Sequence, residues 1–228
     1  MKQMFFVKSH DHPVCAPIDV RPFLGDPELH WKPHGSAWKL AHRWVEANGL
    51  PEAVEGLLAS SPETAGAQLV EGTFEFDVDL RTPGRKSQTD LMALIATDNG
   101  PTIVAIEGKV RESFGPRVAQ WLPLEAPAAG RFARLARLCE VLELSPQNCG
   151  PLRYQLFHRT VSAVFEAENR GLDRAVMLVH SFCPEQSSKA DFNAFLAAMG
   201  VPAIVGDGLT PAVCRGGVQL SFGWLTDD

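Results

Sequence analysis

The sequence predicts an α/β protein, with one mixed β-sheet flanked by α-helices. Three observations carry that reading. Apolar residues alternate along 73–80 and form two further apolar runs at 88–97 and 102–110, as strands require. Stretches at 36–48, 131–144 and 152–169 instead repeat every three to four residues, the period of a helix with one buried face. Beyond residue 171 the pattern runs strand, helix, strand, so the elements interleave within one layered unit.

In chain order, the first 35 residues carry Pro13, Pro17, Pro22, Pro27 and Pro33 and read as an extended or irregular segment. A single domain then occupies 36–228. Ser36 is placed to cap a helix whose Ala37, Leu40, Ala41, Trp44 and Val45 share a face, with Gly49 as its stop. A short helix follows at 51–58, with Pro51 in the first position. Along 73–80, Phe74, Phe76, Val78 and Leu80 fall on one face, and Glu75 and Asp77 with Asp79 on the other. That acidic row reads as a solvated edge, with Asp77 or Asp79 as a source of a further ligand. Strands at 88–97 and 102–110 flank Asp98-Asn99-Gly100-Pro101, a strong turn signal. Two helices follow, at 131–144 and 152–169, and Gly171 stands where a glycine ends a helix. A buried strand at 174–182, a helix at 188–199 and a strand at 218–224 complete the chain.

Composition sets outer bounds. At 228 residues, 45% apolar and 21% charged, the chain has the usage of a globular domain that needs no disulfides. No apolar run approaches the length of a membrane span, and Met4-Phe5-Phe6-Val7 is too short for a signal sequence. The five cysteines include no C-x-x-C pair, which fits reduced thiols and a cytoplasmic setting. A net charge of −6 means that a nucleic acid would have to meet a local basic patch. The candidates are Arg81, Arg85 and Lys86 in one loop, and Arg131, Arg134 and Arg137 along one helix.

The hairpin 88–110 is the most informative stretch. Glu107 and Lys109 share a face of its second strand, and Asp90 lies on the first. A two-residue turn on Asn99-Gly100 sets Asp90 opposite Lys109, and one on Asp98-Asn99 sets it opposite Glu107. Either register gathers all three on one face, with Cβ atoms about 5 to 8 Å apart. A three-residue loop would separate them. Two carboxylates so close repel unless a cation lies between them, and oxygen ligands suit Mg²⁺ or Mn²⁺. Such a site can hydrolyse a phosphodiester, with the ammonium stabilising charge on phosphorus.

Asp90 followed by Glu107-Gly108-Lys109 at the end of an apolar strand resembles the signature of the PD-(D/E)XK, or restriction-endonuclease-like, nuclease superfamily. The resemblance spans about 36–224 in element order. It implies a restriction-endonuclease-like core, Asp90 and Glu107 as metal ligands, and Lys109 as the catalytic lysine. Thr89 stands where a proline often precedes the aspartate. Some members place a glutamine on the following helix to touch the site, which here is Gln155, with Arg159 where a tyrosine is usual. Gln155, Arg159, Ser162 and Glu166 form a polar stripe that reads either as that contact or as the solvated face of the helix.

The expected function is thus Mg²⁺- or Mn²⁺-dependent phosphodiester hydrolysis on nucleic acid. The alternative is a catalytically inactive binding protein that retains the nuclease-like fold. Glu46 lies opposite the apolar stripe of its helix and reads as a surface residue. His10-Asp11-His12 and His30 with His34 are the only zinc-like groupings, and they lack a partner motif. Cys183 and His180 lie three apart on a strand and so face opposite sides, which argues against a cysteine hydrolase.

Overall fold

The computed structural model describes residues 4–8, 12–123, 128–183 and 188–227. Chain order begins with β1 (Phe5–Val7), β2 (His12–Pro13), α1 (Pro27–His30), α2 (Ser36–Ala47) and α3 (Glu52–Ala59). Three long strands follow, β3 (Gln68–Val78), β4 (Ser87–Thr97) and β5 (Gly100–Lys109). Next come α4 (Val118–Trp121), α5 (Ala129–Leu142), α6 (Tyr154–Asn169), β6 (Arg174–Ser181) and α7 (Lys189–Ala198). The chain ends through β7 (Gly208–Leu209), β8 (Val213–Arg215) and β9 (Val218–Thr226).

The strands form one nine-stranded mixed sheet in the order β2-β1-β3-β4-β5-β6-β9-β7, with β8 also pairing with β9. β3, β4 and β5 are an antiparallel meander, while β6 lies parallel to both β5 and β9. One face packs on α5, α6 and α7 through Leu138, Phe157, Val161 and Phe195. The other packs on α2 and α3 through Leu40, Trp44, Val54 and Leu58. Helices therefore cover both faces, as the interleaved pattern predicts.

Most element ends shift by a residue or two, but β3 begins at Gln68, five residues before the expected start at 73. Gly35, not Ser36, is the cap of α2, and Asn48 rather than Gly49 takes the left-handed position at its end (φ 50°). Asparagine tolerates that conformation well. Pro51 precedes α3 as its cap, and Gly171 does adopt positive φ, 67°, after α6.

Three larger differences bear on function. The proline-rich start is not merely irregular, because β1 pairs in parallel with β3, and Phe5, Val7, Val14 and Val20 are buried in the core beneath α2. Gly72 permits that docking, since a Cβ there would lie 2.9 Å from the Phe5 ring. The alternation along β3 breaks at Glu75, whose backbone is left-handed (φ 52°). Phe74 packs into the core beneath α2, whereas Phe76, Val78 and Leu80 belong to the core beneath α6. The expected single apolar face is therefore two half-faces. Finally, α6 is embedded: Arg159, Ser162 and Glu166 are all buried, so their stripe is not a solvated face.

Candidate functional site

The site is built on three adjacent strands. Leu91 pairs with Ile106 and Thr97 with Gly100, which puts the turn on Asp98-Asn99 and sets Asp90 opposite Glu107. Across the other edge of β4, Phe74 pairs with Leu91 and Phe76 with Thr89, so Glu75 stands beside Asp90. Glu75, Asp90 and Glu107 thus form a row of carboxylates crossing the sheet. The left-handed turn of backbone at Glu75 brings its side chain to this row, whereas Asp77 and Asp79 remain exposed. The third acid is therefore Glu75, contrary to the expectation for its strand.

Two cations meet the row. Lys109 donates from Nζ to Glu107 Oε1 at 2.9 Å and to Gln155 Oε1 at 3.2 Å, while Gln155 Nε2 donates to the same Glu107 oxygen at 2.5 Å. The Lys109 ammonium also lies 5.0 Å from the centre of the Phe114 ring. Arg159 comes down from α6, one turn after Gln155, and donates from Nε to Glu107 Oε2 at 2.5 Å. Its Nη2 lies 3.5 Å from Asp90 Oδ1. The backbone N–H of Gly108 donates to Asp90 Oδ2 at 3.0 Å. Glu107, Lys109 and Gln155 are thus one bonded cluster, which Asp90 joins through Arg159. Glu75 is buried, and its carboxylate has no hydrogen-bond partner among the described residues.

The charges do not balance. Burial alone would raise Glu107, but Arg159 and Lys109 outweigh it and hold this carboxyl below its ordinary value. Burial and then the charge of Glu107 push Asp90 up to about 7, against the pull of Arg159 and Lys109. Burial and then Asp90 push Glu75 up to about 8. The two cations serve Glu107 first, leaving Asp90 and Glu75 to compete for protons near neutrality. Behind the row, Ser87 bonds His158 at 2.9 Å. Burial, then Arg159, Arg134 and Lys109, hold that imidazole well below its ordinary value, so it stays neutral.

The row opens into a cleft of about 540 Å³, also lined by Gln88, Leu24, Leu29, His30, Lys32 and Ser36. The wall facing the sheet is therefore the proline-rich segment and the start of α2. As a donor set, three hard carboxylates suit Mg²⁺ or Mn²⁺. As placed, however, no three metal-ligating side chains converge among the described residues, and the Arg159 guanidinium stands between Glu107 and Asp90. A metal there would have to displace it.

A family model described as Domain of unknown function (DUF6946) matches residues 13–228. The chain belongs to this DUF6946 family. No curated protein and no solved structure matches it. The match takes in the whole DUF6946 cleft, the wall from Leu24 to Ala37 included.

Other residues of the DUF6946 chain singled out by sequence fall elsewhere. Glu46 pairs with His42 on the exposed side of α2. Glu166 is held by Arg170, which also binds Glu71. His30 accepts the backbone N–H of Asp26, and His10 and Asp11 lie outside the described residues. His180 is fully buried, accepts from Trp44 Nε1 at 3.2 Å and faces Asp227 at 3.2 Å, so it is committed to structure and not to Cys183. The basic residues divide. Arg81 pairs with Glu168 and Arg137 with Glu140, both against the Phe165 ring, whereas Arg85, Arg131 and Arg134 gather around a second recess. Lys86 is exposed. No helix among the described residues is long and apolar enough to cross a membrane.

Sequence reasoning undervalued Arg159 and Glu75. Arg159 lies four residues after Gln155 and so on the same helical face. Glu75 lies between two phenylalanines, where a strand pattern gives no sign of a left-handed residue.

Proposed function

We propose that this chain is a phosphodiester hydrolase that uses Mg²⁺ or Mn²⁺ and acts on nucleic acid, in a cytoplasmic setting that its reduced cysteines suit. The observation that carries the reading is the row Glu75–Asp90–Glu107 with Lys109 at the floor of an open cleft. The element order around it supports a restriction-endonuclease-like core. A helix (α2) precedes three antiparallel strands (β3, β4, β5), then a helix (α6) leads into a parallel strand (β6).

Asp90 and Glu107 are the residues that would hold the metal, with Glu75 beside them. When bound, such an ion polarises a phosphoryl oxygen and lowers the pKa of a water. Lys109, held by Glu107 and Gln155, stabilises charge developing on phosphorus. Gln155 keeps the ammonium and the carboxylate in register. Glu75, whose carboxyl is pushed up to about 8, serves as a base for water only above neutral pH, where it is ionised.

A second reading has its own observation. Arg159 bonds Glu107 and approaches Asp90, the position expected of the metal, and a guanidinium there makes a non-catalytic protein that binds nucleic acid without cutting it.

One experiment separates the two. Single- and double-stranded DNA and RNA are incubated with the protein in Mn²⁺ or chelator at low salt. The hydrolase reading expects metal-dependent cleavage that Asp90→Asn abolishes and that Lys109→Ala lowers by at least about a hundredfold at matched fold. Binding without cleavage under every metal tested supports the Arg159 reading. Cleavage equal in both variants and wild type would exclude this site.

A further inference from the structure

The recess around Arg85, Arg131 and Arg134 lies next to the carboxylate cleft, and the site described above makes no use of it. It encloses about 600 Å³, with Gly84, Trp121 and Tyr154 completing its walls. Among the described residues, each of its arginines is anchored only through neutral groups or left free. Arg131 donates to the Trp121 carbonyl at 2.8 Å, and Arg134 to the Tyr154 hydroxyl at 2.8 Å and the Arg85 carbonyl at 2.6 Å. The Arg85 side chain makes no bond among the described residues, and none of the three has a carboxylate within ion-pairing distance there. Arg81, Arg137, Arg153 and Arg170, by contrast, are all paired with acids. In a chain of net charge −6, three uncompensated guanidinium groups around one hollow reverse the local sign of the field.

The hollow is also aromatic. Trp121 lies flat on Tyr154, ring centres 3.7 Å apart at 10°, and the Arg131 guanidinium is 5.6 Å from the indole centre. Cations beside a stacked aromatic pair are the combination that holds unpaired nucleotides, through phosphate and base together. Both walls lead to the first cleft. Tyr154 adjoins Gln155, and Arg85 lies three residues before Gln88, about 10 Å of extended chain; Gln155 and Gln88 both line that cleft. Glu107 and Lys109 are only 2% and 5% exposed, so a phosphodiester must enter the cleft to reach them.

We propose that this recess is the binding site for single-stranded nucleic acid, with Arg85, Arg131 and Arg134 on phosphate and Trp121 on a base, leading the strand to the carboxylate row. The proposal rests on the hydrolase reading for the strand's destination, but the binding it describes needs no metal. The test is fluorescence anisotropy with a labelled oligothymidylate and a duplex of equal length, in chelator and over a salt series.

Wild type is expected to bind the single strand more tightly than the duplex. Arg85→Gln with Arg131→Gln should weaken single-strand binding at least about tenfold and make the salt slope shallower by about 1.4, the value for two lost phosphate contacts. If the double variant melts early, Arg85→Gln alone decides, since that side chain bonds nothing among the described residues; its slope should change by about 0.7. Unchanged affinity and slope in these variants would overturn the proposal. So would duplex binding as tight as single-strand binding, or displacement of the oligonucleotide by polyglutamate as effective as by unlabelled strand. Binding as expected without any Mn²⁺-dependent cleavage defeats the hydrolase reading alone, and cleavage with binding indifferent to the variants defeats the recess alone.

Discussion

At Asp90, three local facts meet: burial, the charge of Glu107, and a single backbone N–H from Gly108. Its carboxyl titrates near 3.8 in the unfolded chain and near 7 in the folded one. The folded state therefore binds the extra proton between those values. Stability from this group is fully present below the lower value and is lost as pH rises through the upper one. Asp90→Asn removes the dependence while keeping an acceptor for Gly108. We expect its melting temperature to equal or trail that of wild type near about pH 5 and to exceed it near about pH 8.5, at about 2–4 °C per kcal/mol for a chain of this size. A gap that does not vary with pH would show that Asp90 is not the strained acid. The convergence of Asp90, Glu107 and Lys109 was legible in sequence because strand parity fixes which side chains share a face. The insertion of Arg159 was not, since a helical wheel cannot tell a polar face turned to solvent from one pressed on a sheet.

Among the elements, the N-terminal segment departs most from its sequence pattern. Prolines suggested irregularity, yet the sheet takes up Phe5–Val7 as a strand, and Leu24 to Ala37 wall the cleft. Three-residue strands carry too little alternation to be read from sequence. Their energetic weight is nonetheless large. Burying Phe5, Val7, Val14 and Val20 contributes about 1.5–3 kcal/mol each, a sum comparable with the whole stability of a typical domain. Removing residues 1–35 should therefore leave a chain that no longer unfolds cooperatively, as calorimetry or denaturant titration would show. A truncated protein with an undiminished melting transition would contradict this. β3 offers the complementary lesson. Its alternation correctly marked a strand, but the left-handed Glu75 exchanged the two faces midway, and that exchange delivers the third carboxylate.

For the molecule as a whole, the sheet with helices on both faces followed from interleaved helical and strand periods, and α2 with the β3–β5 meander positions the row between two cores. The polarity of the two clefts did not follow. Residues at 84–85, 121, 131, 134 and 154 meet only through tertiary packing, and no spacing in sequence announces it. An acidic chain thus carries one carboxylate-lined cleft beside one arginine-lined recess, an arrangement suited to gripping a phosphodiester with one and attacking it with the other. The central claim is that the carboxylate row accepts a divalent metal despite Arg159. Titration of Mn²⁺ into the metal-free protein near about pH 8, where Asp90 is largely ionised and Glu75 about half so, tests it most directly, by calorimetry or by the loss of the free-ion electron paramagnetic resonance signal. We expect saturable binding in wild type, with proton release, that Asp90→Asn abolishes. A wild-type protein that leaves millimolar Mn²⁺ free in solution, or an Asp90→Asn variant that binds it equally well, would contradict the claim.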